Sequence, residues 1–358
     1  MPRLPYLLAF CLIPFLFACD PDVTGYGNDG PETLDFDRAE MLANWVDNVF
    51  RPAYTDNLTA NATLAAAATT FTEAPSEATL ATLRTDYLFA YENWQVLSPV
   101  LTGKAEEINL RSRLNTYPTD TELIEANIRN DVNLNLPSMY AAQGFPALDY
   151  LLYEEAELLL ENNDTGNARR NYVSQLIDAM TTLLAEASNE WTDNFRATFV
   201  ANDGNSATAS IDRTVNDYIF HYEKFLRAGK VGIPAGIFSD TPLADRAEAP
   251  YSGSSKRLML ASLAASRNFF VSEGLADYLD ALNVSRDGEF LSQTVTNQFA
   301  VILAEAANVG DNFAEQVATD NSKMLALYDE MQRVVVLLKV DMLQALSINV
   351  DYVDADGD

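Results

Sequence analysis

Few side chains in this sequence are equipped for covalent or metal chemistry. Histidine occurs once, at His221, and cysteine twice, at Cys11 and Cys19. An HExxH zinc helix needs two histidines, so it is excluded. A closed zinc or iron site of the His/Cys type cannot be assembled around one imidazole. A Ser-His-Asp triad would have to run through His221, and no Gly-x-Ser-x-Gly elbow accompanies it. Neither a GxxxxGK[ST] phosphate loop nor a GxGxxG turn occurs. The segment "GKVGIPAG", from Gly229, has its glycines and lysine in the wrong order for both. No catalytic group and no resident metal or other cofactor is therefore expected. Calcium held by carboxylates is the one metal left open. The acidic end "DYVDADGD" is not an EF-hand loop, because Tyr352 stands where an acid is needed.

One acid stands out by its setting. In "QGFPALDYLLY", residues 143–153, Asp149 lies in an apolar run just after a Gly-Phe-Pro break. Gly144 allows a turn, and Pro146 suits the first position of a helix. Asp149, in the first turn, either complements the helix dipole or lines a cleft and pairs with a cation. Arg227 and Lys230, in "LRAGKVG", are the candidate partners; their own alternative is complementarity to a helix C-terminus. His221 follows Asp217 by four residues and reads as half of a surface Asp–His pair. Tyr87, Tyr91 and Trp94 read as core.

These side chains must be positioned by helices. Of the 358 residues 48% are apolar, enough for a substantial core. Acids outnumber Lys plus Arg by 52 to 23, giving a net charge of −29. Such a surface repels phosphate backbones, so nucleic acid is excluded as a partner. The opening "MPRLPYLLAFCLIPFLFACD" has one basic residue, an apolar run and a small residue before Cys19. It resembles a bacterial lipoprotein signal over 1–18, with lipid added at Cys19 and a Gly/Pro/Asp-rich tether over 19–33. Cys11 would leave with the signal, so no thiol chemistry and no disulfide is expected. The chain would be lipid-anchored in the bacterial cell envelope, with the membrane as a partner through that anchor.

Beyond the tether the apolar period is helical nearly throughout, which predicts an all-α protein. Trp45, Val46, Val49 and Phe50 share a face, and Pro52 is expected to kink or interrupt their helix. Leu80, Leu83, Tyr87, Tyr91 and Trp94 follow at spacings of three and four. Long helices are expected near 168–201, 208–228, 254–283, 289–309 and 321–347. These are too many for one four-helix core, so two bundles are predicted, over 34–164 and 165–358. The polar turn "ENNDTGN" marks the boundary. The stretch 229–255 is the one long loop, and its apolar first half argues that it is packed.

The order of several segments resembles the imelysin family of bacterial envelope proteins, which includes insulin-cleaving metalloproteases and iron-regulated lipoproteins. The segments are "VFRPAYTDNL", "LRTDYLFAYENWQVLSPV", "LNTYPTDTELIEANI", residues 143–153 and "FHYEKFLRAGKVGIPAG". Together they cover most of the chain. The resemblance implies two helical bundles with a site between them, where the family carries Gly-x-His-x-x-Glu. Here Gly144 keeps the glycine, Pro146 replaces the histidine, and Asp149 replaces the glutamate. Where relatives carry a further glutamate near the end of the second helix, this chain reads "WQVLSPV".

The resemblance and its departures imply a non-enzymatic lipoprotein that binds or assists in iron or other nutrient uptake. Its partner would be an envelope uptake protein or a chelated metal. Two alternatives stand beside it: a metallopeptidase of imelysin type, and a structural or docking lipoprotein without a small-molecule ligand.

Overall fold

The computed structural model describes residues 36–130 and 132–352; the signal, Cys19, the tether and the last six residues lie outside them. Among the described residues the regular structure is helical apart from one two-stranded hairpin, Ser285–Arg286 with Glu289–Phe290. No described helix is long and apolar enough to cross a membrane.

The first long helix is continuous over 38–73. It runs as Arg38–Asn44, a π-helical stretch Trp45–Phe50, and Arg51–Glu73. Pro52 therefore does not end it. Proline cannot bond to the carbonyl four residues back and its ring crowds that group, and the wider π turn sits just where this conflict arises. A second π stretch, His221–Gly232, likewise ends before Pro234. Expected long helices near 168–201 and 254–283 are each broken, at 189–192 and at 273–274.

Two groups of helices form around one continuous core. In the first, Arg51–Glu73 packs on Glu77–Leu97 and on Asp164–Ser188. In the second, Ser255–Ser272 and Ser322–Val336 pack with Leu291–Ala306 and His221–Gly232. The turn before Asp164 was the expected boundary, yet the helix that follows it packs within the first group. Burial explains this: Tyr172, Val173, Leu176, Ile177, Met180 and Leu184 face inward along one side.

The groups meet chiefly where Ser255–Ser272 lies against Glu77–Leu97. Leu80, Leu83, Tyr87, Tyr91 and Trp94 are all buried, as their spacing predicts. The loop expected over 229–255 begins later. Its first residues extend the preceding helix to Ala235, and the irregular part then folds back to the first group, with Ala247, Glu248 and Ala249 buried.

Candidate functional site

The Gly-Phe-Pro segment forms a short helix, Gly144–Asp149, continued by a π turn, Tyr150–Glu154. Gly144 is its first residue and Pro146 its third, still within the turn whose N–H groups lack helical partners. Gly144 has φ +74°, and an added Cβ would overlap the carbonyl oxygen of Leu114. Only glycine meets both demands.

Asp149 is the sixth residue of this continuous helical run, past its first turn, and it is fully buried. A role as an exposed first-turn acid is thereby corrected. Its partners come from elsewhere. Tyr87 donates its hydroxyl to Oδ1 at 3.2 Å, and the Tyr251 and Ser252 backbone N–H groups donate at 3.0 and 3.3 Å. Burial pushes its carboxyl up to about 6, against the pull of those donors.

The expected pairing of Asp149 with Arg227 or Lys230 does not occur. Arg227 is buried within the second group, donating to Tyr328 at 2.7 Å and to Gln332, with Glu223 at 3.7 Å. Lys230 is buried against Glu248, with which it forms an ion pair. Glu248 is the acid that the sequence reading missed. Besides Lys230 it accepts from Asn115 at 2.8 Å, Tyr91 at 3.0 Å and Gln95 at 3.3 Å. Burial pushes the Lys230 ammonium down, and Glu248 opposes that shift.

Two acids thus cross-link the groups in opposite directions. Asp149, in the first group, holds the turn at Tyr251–Ser252; Glu248, from the same loop, is held by Tyr91, Gln95 and Asn115 of the first group. Tyr87 and Tyr91 stand one helical turn apart, so one stripe of Glu77–Leu97 supplies a hydroxyl to each acid. The Tyr91 ring also stacks on Phe145, centroids 4.5 Å apart. Between the two contact points lies Ala249, at φ +49°. A non-glycine residue there costs on the order of 1 kcal/mol, which the hydrogen bonds on either side offset.

His221 is not at the surface. It is buried, with Nδ1 2.8 Å from Arg111 and Nε2 3.0 Å from Ser262 Oγ. A guanidinium only donates, so Nδ1 accepts and the single proton sits on Nε2, donated to Ser262. Burial, Arg111 and Lys230 all push this imidazole well below its ordinary value, so it is neutral. Asp217, its expected partner, instead pairs with Arg111 at 3.2 Å and accepts from the Leu101 backbone.

The family motif implies a metal, and the residues here do not fit one. Pro146 has no lone-pair side chain, both Asp149 oxygens already accept protein hydrogen bonds, and Glu248 is committed to four donors. Among the described residues no three His, Cys, Asp or Glu side chains are grouped to hold a metal ion.

Two solved structures share this fold. An imelysin-like protein from Psychrobacter arcticum 273-4 superposes with a TM-score of 0.70 at 20% identity, over 88% of this chain and 97% of that one. A "putative iron-regulated protein A precursor" from Parabacteroides distasonis ATCC 8503 gives 0.70 at 15% identity, over 90% and 97%. Comparison with curated proteins finds no match. Residues 50–339 match the imelysin family as a whole, motif segment included. Despite the proline in its metal-ligand position, this chain belongs to the imelysin family.

Proposed function

We propose that this protein is a non-enzymatic binding or accessory component of the bacterial cell envelope, lipid-anchored through Cys19 and serving iron or other nutrient uptake. One observation carries the non-enzymatic reading. Both polar motif positions have been turned over to the fold: Pro146 offers no ligand atom, and Asp149 is saturated by donors that join the two helix groups. A group so committed has no lone pair directed at a substrate or a metal-bound water. The link to iron comes from the family and from the name of the Parabacteroides relative. An envelope uptake protein or a chelated metal would be the partner, since bare iron would find no grouped His, Cys, Asp or Glu ligand set among the described residues.

A deletion strain of the native host, grown under iron limitation, tests this. Slowed growth, restored by the intact gene but not by a Cys19→Ala form, is expected; growth equal to the parent would overturn the uptake role. Purified protein should leave insulin intact. Chelator-sensitive cleavage that disappears in Asp149→Ala would overturn the non-enzymatic reading.

A further inference from the structure

The motif cluster is filled by its own side chains, but the two helix groups enclose space elsewhere. A cavity of about 420 Å³ opens between residues 101–112 of the first group and 213–225 of the second. It shares no lining residue with the Asp149 and Glu248 cluster. Arg111, Asp217, Phe220, Phe225, Glu106 and Asp351 line it. That volume falls within the roughly 300–1,000 Å³ range of small-ligand sites, with an apolar wall and a few placed polar groups.

Arg111 is held from four directions. Nη1 bonds the Ser98 carbonyl and His221 Nδ1, Nη2 bonds Asp217, and the guanidinium lies 4.5 Å from the Phe225 ring centroid. Of its five N–H groups, these contacts use both on Nη1 and one on Nη2. The Nε–H and one Nη2–H have no partner among the described residues. The neutral His221, itself fixed by Ser262, orients the guanidinium without competing for an anion. A charged donor pinned in this way loses little conformational freedom on binding, which is what a ligand-positioning residue requires.

The remaining charges point to the other end of the ligand. Arg111 pairs with Asp217, and Arg213 pairs with Glu106 at 2.9 Å. The Asp351 carboxylate is the lining charge left without an ion-pair partner among the described residues. Between the charged groups, Phe220 and Phe225 offer apolar surface.

We propose that this cavity binds an amphipathic zwitterion of the short-peptide class, its carboxylate on Arg111, its side chains against Phe220 and Phe225, and its amino end toward Asp351. This rests on the binding role above and names the ligand class.

Titration calorimetry of the full chain with leucyl-leucine as the probe tests it. Leucyl-leucine should bind, and its C-terminal amide should bind at least about tenfold more weakly, the loss expected when a charge-assisted bond to a guanidinium is removed. Ser112 is exposed and lines the cavity, so Ser112→Trp should block binding while leaving the thermal midpoint unchanged. Absence of leucyl-leucine binding, or binding that neither amidation nor Ser112→Trp weakens, would overturn the proposal. Peptide binding without an iron-limitation phenotype would remove the iron link and leave this site standing. The reverse result would remove the site and leave the uptake role.

Discussion

The carboxylate of Asp149 accepts the backbone N–H of Tyr251 at 3.0 Å across 102 positions of sequence. That contact ties the loop before Ser255–Ser272 to the first helix group. The loop carrying Tyr251 also delivers Glu248 to Tyr91 and Asn115, so the two acids act on opposite sides of one short strained turn.

Truncating Asp149 should therefore be costly. Asp149→Ala leaves the Tyr251 and Ser252 backbone N–H groups without their acceptor, while the Tyr87 hydroxyl keeps the Phe145 carbonyl at 3.2 Å, a loss of about 2–5 kcal/mol given ~1–3 kcal/mol per unsatisfied buried donor. Asp149→Asn keeps one acceptor and should lose less. Because neither Arg227 nor Lys230 touches Asp149, neutralising either one should add independently, to within about 0.5 kcal/mol. Urea denaturation of the single and double variants measures this; rescue by either second change would restore the cation-pair reading.

The pH dependence has a definite sign. The Asp149 carboxyl, raised from 3.8 to about 6 by burial, holds its proton more tightly folded than unfolded. Stability from this group is thus present at low pH and lost as pH rises from about 4 to about 6. Asp217, also raised by burial, adds to the same slope. The thermal midpoint should fall between pH 4.5 and 7, and fall less in Asp149→Asn. Parallel profiles for the two proteins would mean that Asp149 titrates normally.

Much of this architecture is legible in the sequence because helix periodicity is local. The aromatic stripe at Tyr87, Tyr91 and Trp94 announces a buried face, and the structure buries it. The function of its hydroxyls is not legible, since their acceptors lie in loops that return from far along the chain. Glu248 is one acid among 52 acidic residues, and nothing local separates it from a solvated one. The rule that pairs residues four apart predicted an Asp217–His221 contact, but Arg111, 110 positions from His221, lies between them. The Ser285–Phe290 hairpin was readable from Asp287-Gly288, whose φ values of +53° and +84° suit a tight turn. Helical periodicity on both sides masked it.

Gly144→Ala tests the backbone argument separately. The variant would combine a left-handed φ of +74° with overlap against the Leu114 carbonyl, so the short helix must shift away from residues 110–114. A loss above about 2 kcal/mol is expected, since the strain alone costs roughly 1 kcal/mol and the overlap adds to it. Thermal unfolding decides; a change under about 0.5 kcal/mol would show that this approach is loose in solution.

The Lys230–Glu248 pair should be asymmetric. Among the described residues Lys230 has Glu248 as its one partner, whereas Glu248 keeps Asn115, Gln95 and Tyr91 if the lysine is removed. Breaking a buried pair costs about 3–5 kcal/mol because a charge is left without compensation. Lys230→Met should sit at or below the low end of that range, since three neutral donors still solvate the carboxylate. Glu248→Leu should cost more: it abandons the ammonium and also takes the acceptor from the Asn115 and Gln95 amides, while the Tyr91 hydroxyl keeps Asn115 Oδ1. Burial already pushes Lys230 downward, and without Glu248 it should deprotonate, so the penalty in Glu248→Gln should shrink as pH rises from 7 to 9. The double variant Lys230→Met/Glu248→Leu removes both charges and should fall short of the summed losses by at least about 1.5 kcal/mol. Additive losses, with no pH dependence in Glu248→Gln, would mean that the two groups do not meet in the folded protein, and the loop would then rest on Asp149 and on the Tyr91, Gln95 and Asn115 bonds to Glu248.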